Sequence, residues 1–136
     1  MKHLNLLLLV LAASIFVGCE KEKPERIENP EISFKYREVE RNEQETRLNV
    51  GQYKVEFENT SGQGLKAYMW RFDGDMSHDA APATSTETFK HYFIDKGARK
   101  VTMTVQDEND YLYVAEFTID IKGTADSIWI ARSNQN

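Results

Sequence analysis

The sequence predicts an all-β fold in which two antiparallel sheets pack face to face as a sandwich. Short segments alternate apolar and polar residues, and turn-forming residues separate them. After the first eighteen residues, no window of useful length shows the apolar spacing of an amphipathic helix. Six or seven strands with one apolar face each need a second sheet to bury those faces.

The first strand signals lie in the N-terminal half. Apolar residues occupy every second position in 32–36, whereas 38–47 is charged, lacks a period and is expected to be a loop or frayed edge. Tyr53, Val55 and Phe57 then share one face. Residues 59–64 form a turn cluster, because Asn, Ser and Gly tolerate tight backbone angles.

The third strand carries three aromatic residues at alternate positions, Tyr68, Trp70 and Phe72. Such rings could stack on a sugar, but their period of two on a central strand favours core packing for all three. The polar residues up to 85 are expected to form a long loop.

The C-terminal half continues the alternation. We expect a strand at 86–93, a turn at 96–97, and a strand whose inward residues are Val101, Met103 and Val105. A four-residue turn at 107–110 precedes the last long strand, whose apolar face comprises Tyr111, Tyr113, Ala115, Phe117, Ile119 and Ile121.

The bulk composition excludes several classes of function. The chain has 136 residues and a net charge of −5, which is enough length for one modest domain. Without a cluster of Lys or Arg, nucleic acid is not an expected partner. The absence of a GxGxxG, P-loop or HExxH motif predicts a non-enzymatic protein with no cofactor.

The N-terminus has the layout of a secretory signal peptide, in which Lys2 and His3 precede an apolar run that ends near Val17. A membrane-spanning helix is the alternative, but it needs about 20 apolar residues, and this run is shorter. We therefore predict a signal peptide at residues 1–18.

Residues 16–19 read Phe-Val-Gly-Cys and resemble the lipobox of bacterial lipoproteins, although Phe16 stands where Leu is usual. Cys19 is the only cysteine, so an internal disulfide is impossible and lipidation explains its presence. The resemblance implies cleavage before Cys19, acylation (palmitate) and anchoring in the cell envelope. The acid-rich residues 20–25 resemble the signal that sends Bacteroidetes-type lipoproteins to the outer face of the outer membrane, so a cell-surface location is expected.

Residues 19–31 are predicted to be the lipidated Cys and a flexible tether. The segment after Cys19 contains two prolines and one apolar residue, Ile27, so it has almost nothing to bury.

Two groups of motifs resemble the PKD (polycystic kidney disease) domain. Residues 55–61 and 68–75 resemble a strand that ends in F-x-N-x-S, followed by Y-x-W-x-F and a Gly-Asp-Gly turn. Residues 91–93, Gly97 and 101–109 match the later H-x-Y and V-x-L-x-V-x-D-x-N parts. The departures are the turn after Phe72, Phe93 and Arg99 in place of Tyr, and Asp110 in place of Gly.

The resemblance covers about residues 50–121 and implies an Ig-like β-sandwich that serves as an accessory or interaction module on cell-surface proteins. We assign the PKD-like sandwich to residues 32–122 and a C-terminal tail or edge strand to 123–136. A fold of this kind does not by itself determine a ligand.

Candidate metal and catalytic residues are few. Asp73, Asp75 and Asp79 could supply oxygen ligands to Ca²⁺, although turn capping is the ordinary explanation for such carboxylates. His91 falls on the position of the family's structural His, and His78 lies in the predicted loop, so neither is expected to bind zinc or to act in catalysis.

Tyr111, Tyr113 and Trp129 are the candidate ligand-binding aromatics. In the tail at 127–132, Ile128 and Ile130 are expected to share one face, with Trp129 on the other; the segment is either a final edge strand or an apolar patch for a partner. The leading hypothesis is a non-enzymatic envelope lipoprotein that binds a glycan or an envelope protein. The alternative is a structural spacer or subunit of an envelope assembly that binds no small ligand.

Overall fold

The computed structural model describes residues 23–48, 51–73, 79–80 and 88–135. The predicted signal peptide, Cys19 and His78 lie outside these ranges.

Two four-stranded antiparallel sheets pack against each other, which confirms the predicted β-sandwich. The elements in chain order are β1 (Ser33–Val39), α1 (Glu43–Arg47), β2 (Tyr53–Asn59), β3 (Lys66–Phe72), β4 (Asp79–Ala80), β5 (Phe89–Phe93), β6 (Gly97–Gln106), β7 (Leu112–Ile121) and β8 (Ile130–Ser133). Sheet A has the order β5-β2-β1-β8, and sheet B has the order β4-β3-β6-β7. The opposed groups β5-β2-β1 and β3-β6-β7 correspond to the Ig-like arrangement.

The core is aromatic and lies between the sheets. Phe34 is fully buried and meets Trp70 and Phe117 edge to face, with ring centroids 5.5 and 4.9 Å apart. Trp70 and Phe72 are buried, as the period-two pattern predicts. Edge-to-face pairs of this kind fix the relative position of the two sheets more narrowly than apolar burial alone.

The prediction that Tyr68 shares the inward face was wrong. The register between β3 and β6 shifts between Ala67 and Met69, which indicates a β-bulge. The irregularity reverses the alternation, so Ala67 is buried in place of Tyr68, and Tyr68 is 45% exposed.

The prediction of a loop at 38–47 was also incomplete, because α1 forms within it. Asn42 caps the helix by accepting from the backbone N–H of Glu45, while the Glu45 side chain accepts from the backbone N–H of Asn42. This capping box, Asn-x-x-Glu, is a recognisable start signal even without an apolar period. Within the described ranges, α1 is far too short to cross a bilayer, and no other helix meets that requirement.

The registers define two ends of the sandwich. At the first end, the β2–β3 turn (60–65) approaches the β6–β7 turn (107–111), since a Cβ on Gly64 would lie 3.4 Å from the Glu108 carboxylate. The second end carries α1, the β5–β6 turn (94–96) and the β7–β8 link (122–129). Residues 23–31 enter at the first end, and β8 returns residues 134–135 to it.

Candidate functional site

Trp129 lies on the outer side of sheet A, next to β1. The pairing of Ile130 with Tyr36 places Trp129 beside Arg37. The Arg37 Cζ and Lys35 Nζ atoms lie 4.4 and 4.6 Å from the centre of the indole ring. These distances are within the range of cation–π attraction, which holds the half-buried ring against the sheet.

Carboxylates on β2 fix the same two cations. Lys35 pairs with Glu58 at 2.8 Å and Arg37 pairs with Glu56 at 2.7 Å, each directly across the β1–β2 ladder. Each cation on β1 is therefore restrained by a carboxylate on β2 and by the Trp129 ring. We call these five residues the Trp129 face.

Two apolar residues flank Trp129 in the sequence, and Ile130 pairs with the buried Tyr36, which places it on the side of sheet A opposite to Trp129. Ile128 is 61% exposed, and Ile130 lies at the boundary of exposure on the edge strand β8. Residues 130–133 form the edge strand that the sequence allowed, and whether the same segment binds a partner stays a prediction.

A partly buried ionic cluster lies elsewhere on the outer side of sheet A, near the second end. Glu45 Oε1 lies 2.9 Å from Lys54 Nζ, and both side chains are nearly buried. Hydrogen bonds from Tyr92 and then Lys54 outweigh burial and lower the pKa of Glu45 to about 2. Burial, followed by the neighbouring Glu45 carboxylate, raises the pKa of Tyr92 to about 12. Because Glu45 lies on α1, Lys54 on β2 and Tyr92 on β5, the cluster connects the helix to sheet A.

The predicted binding residues Tyr111 and Tyr113 lie beneath the N-terminal segment. The Arg26 guanidinium carbon is 4.8 Å from the centres of both rings, and its Nη2 donates to the Leu112 carbonyl at 2.7 Å. Tyr111 donates its hydroxyl hydrogen to the Pro24 carbonyl at 2.8 Å. In this arrangement the two rings bind the protein's own chain.

Tyr113 joins this segment to the β6–β7 turn. Its hydroxyl accepts from the Ile27 N–H at 2.8 Å and donates to Asp107 Oδ2 at 2.7 Å. Burial favours the neutral Asp107 carboxyl, but hydrogen bonds from Tyr113 and from the N–H groups of Tyr111 and Asn109 outweigh it and lower its pKa. Burial raises the pKa of Tyr113, and its bond to Asp107 adds to the shift. Sequence reasoning assigned no role to Arg26, and an Arg in a polar segment gives little local signal.

The described residues contain no assembled calcium site. Asp73 Oδ1 accepts from the Lys100 N–H at 2.9 Å, and the Asp73 N–H donates to the Lys100 carbonyl, so this carboxylate extends the β3–β6 ladder. Asp75 and the side chain of Asp79 lie outside the described part of the chain. In that part, no group of three or more His, Cys, Asp or Glu is arranged to hold a metal.

The polar residues of the two motifs have structural contacts. The Asn59 amide donates to the Leu65 carbonyl and accepts from the Ser61 N–H, which closes the β2–β3 turn. Ser61 Oγ accepts from the Ser33 N–H, which ties that turn to β1. His91 is buried and stacks on Phe72, with ring centres 3.9 Å apart.

Two shallow cavities open at the ends of the described sandwich. The one at the second end has a volume of about 310 Å³ and is lined by residues including Glu38, Tyr53 and Lys54. The one at the first end, about 320 Å³, lies between Ile27, Gln63 and Asp107. Both are open to solvent and mainly polar, unlike the mostly apolar pockets that bind small molecules.

No protein-family model, no curated protein and no solved structure matches this chain.

Proposed function

We propose that this chain is a lipid-anchored, non-enzymatic interaction module of the bacterial cell envelope, with a PKD-like sandwich that binds a glycan through the Trp129 face. The observation that carries the binding role is the Trp129 ring beside Lys35 and Arg37, with both cations restrained by Glu58 and Glu56.

Several features make this face suitable for a saccharide. An indole ring supplies flat apolar area for stacking, and few rotamers must be frozen when it binds. The surrounding ammonium, guanidinium and carboxylate groups supply hydrogen-bond donors and acceptors for hydroxyl groups. Because the ion pairs lie across paired strands, the groups are ordered before a ligand arrives.

The PKD-like assignment is supported by the positions that the motif residues occupy. The His of the motif, His91, stacks in the core, and Asn59 closes the turn that follows its strand. Asp110, where the family pattern has Gly, adopts a left-handed φ of 67°, which is the conformation that favours Gly.

The anchor is proposed from sequence, through the apolar run that ends at Cys19. Metabolic labelling with palmitate should mark the wild type and leave Cys19→Ala unlabelled. Label that persists in Cys19→Ala would contradict the anchor.

The binding role is tested on the 23–136 fragment with a glycan array. Binding that is lost in Trp129→Ala and retained in Tyr68→Ala supports the Trp129 face, since Tyr68 is an exposed aromatic of sheet B. Binding that is equal in both variants contradicts the assignment. Pocket-dependent hydrolysis by the purified fragment would contradict the non-enzymatic role.

The alternative, a structural spacer or subunit without a small ligand, is favoured by the fact that the charges of the Trp129 face already neutralise each other. A stable envelope protein that co-purifies with the full chain, together with no saccharide binding, would support this alternative.

A further inference from the structure

We infer that the first end of the sandwich, with the β6–β7 turn at 107–111, is held close to the lipid surface, and that the second end, with α1, points away from it. This inference rests on the proposed anchor at Cys19.

The N-terminal segment is exposed to solvent but docked on the sandwich. Pro24 accepts from Tyr111, Arg26 lies against two rings and the Leu112 carbonyl, and Ile27 donates to Tyr113. The backbone of this segment is therefore attached to the start of β7 from Pro24 onward.

The same attachment continues up to β1. The Gly62 N–H donates to the Glu31 carbonyl at 2.9 Å, and the Asn134 amide donates to the Pro30 carbonyl at 3.0 Å. The Ile32 N–H donates to Asn134 Oδ1 at 2.9 Å. Contacts at both ends of residues 24–32 hold this stretch against the sandwich. These residues therefore do not lengthen the part of the chain that is free to extend between Cys19 and the domain.

The free tether is consequently much shorter than the sequence indicates. From Cys19 to Pro24 the chain can extend about 18 Å at most, since each residue spans at most about 3.6 Å. The ten residues of β7 extend about 33 Å at about 3.3 Å per residue. An anchor within 18 Å of Pro24 therefore keeps the first end near the lipid and leaves the second end free to project away.

Electrostatic attraction to anionic lipid does not orient the domain. Glu25, Glu28, Glu108 and Asp110 are exposed at or near the first end, and these acidic groups are repelled by anionic lipid. The covalent connection brings this end to the surface against that repulsion, so the first end should lie closer to the lipid than the second end on neutral and on anionic vesicles alike.

The test uses the full acylated protein in vesicles that contain a head-group-labelled acceptor lipid. Glu108→Cys at the first end and Glu43→Cys on α1 each carry one donor dye, because acylation blocks the thiol of Cys19. We expect several-fold greater energy transfer from position 108 than from position 43, on phosphatidylcholine and on phosphatidylglycerol vesicles alike.

A second variant tests the docked segment itself. Arg26→Ala with Tyr111→Phe removes the contacts at Pro24 and Leu112 and lengthens the free tether. We expect transfer from position 108 to fall while the circular dichroism of the sandwich is retained.

The outcomes separate this inference from the anchor. Protein that floats with the vesicles but gives equal transfer from positions 108 and 43 contradicts the orientation and leaves the anchor standing. Transfer that is unchanged by the double variant shows that the docked segment does not set the tether length. Protein that does not float with vesicles overturns the anchor and the orientation together.

Discussion

The hydroxyl of Tyr113 lies between the Ile27 N–H, from which it accepts, and Asp107 Oδ2, to which it donates. One buried oxygen thereby connects the N-terminal segment, β7 and the β6–β7 turn. Removing it leaves a backbone donor and a carboxylate oxygen each without this partner.

We expect Tyr113→Phe to lower the free energy of unfolding by about 1–3 kcal/mol, the usual cost of leaving buried polar groups unsatisfied. Urea denaturation measures the change. Tyr68→Phe is the matched control and should stay within about 0.5 kcal/mol, since this ring is exposed. Equal losses in the two variants would argue against a role for the Tyr113 hydroxyl.

The Glu45 cluster predicts stability that depends on pH. The folded pKa of Glu45, about 2, lies below the ordinary value of 4.5, so the contribution of Glu45 to stability is full above pH 4.5 and is lost as the pH falls towards 2. Denaturation midpoints between pH 7 and pH 2 should fall less steeply in Glu45→Gln than in the wild type. Parallel curves would contradict the assignment.

The raised pKa of Tyr92 predicts a loss of folding stability at high pH. Its folded pKa of about 12 lies above the ordinary value of 10.0, so its contribution to stability is complete below pH 10 and is lost as the pH rises through 12. A spectrophotometric titration at 295 nm should include a tyrosine that ionises near pH 12, and Tyr92→Phe should remove that contribution. A titration that Tyr92→Phe leaves unchanged would place that ionisation elsewhere.

Glu38 is a buried carboxylate that holds the second end together. It accepts from the N–H groups of Lys122 and Gly123 at 3.0 and 2.6 Å. We expect Glu38→Ala to cost about 1–3 kcal/mol, because it leaves two backbone donors without this acceptor. Glu38→Gln keeps one acceptor oxygen and should cost less. A larger loss in Glu38→Gln would contradict this account.

Asp110 has a left-handed φ of 67°, a conformation that strains a residue with a Cβ. Asp110→Gly should leave stability unchanged or raise it by up to about 1 kcal/mol, since strain relief opposes the greater freedom of the unfolded chain. Gly123→Ala should do the reverse, because φ is +80° and the new Cβ would lie 2.9 Å from Lys96 Cδ. Thermal denaturation of the two variants gives the comparison; a lower midpoint for Asp110→Gly would refute the strain argument.

The alternation of apolar and polar residues was sufficient to predict the sandwich and most of its inward face. Residues such as Val101, Met103 and Val105 alternate strictly, and a strand with one apolar face can be stable only when that face is buried. The acylation of Cys19 is also a prediction from local pattern alone, and it stays one.

Features that depend on contacts between residues distant in sequence could be identified from the folded chain alone. The bulge near Tyr68 arises from pairing with β6, and Trp129 meets Lys35 and Arg37 because β8 returns beside β1. Arg26 meets Tyr111 and Tyr113 across more than 80 positions of the chain, so no local period indicates the contact. For the same reason, the sequence predicted a free tether where the fold holds a docked segment.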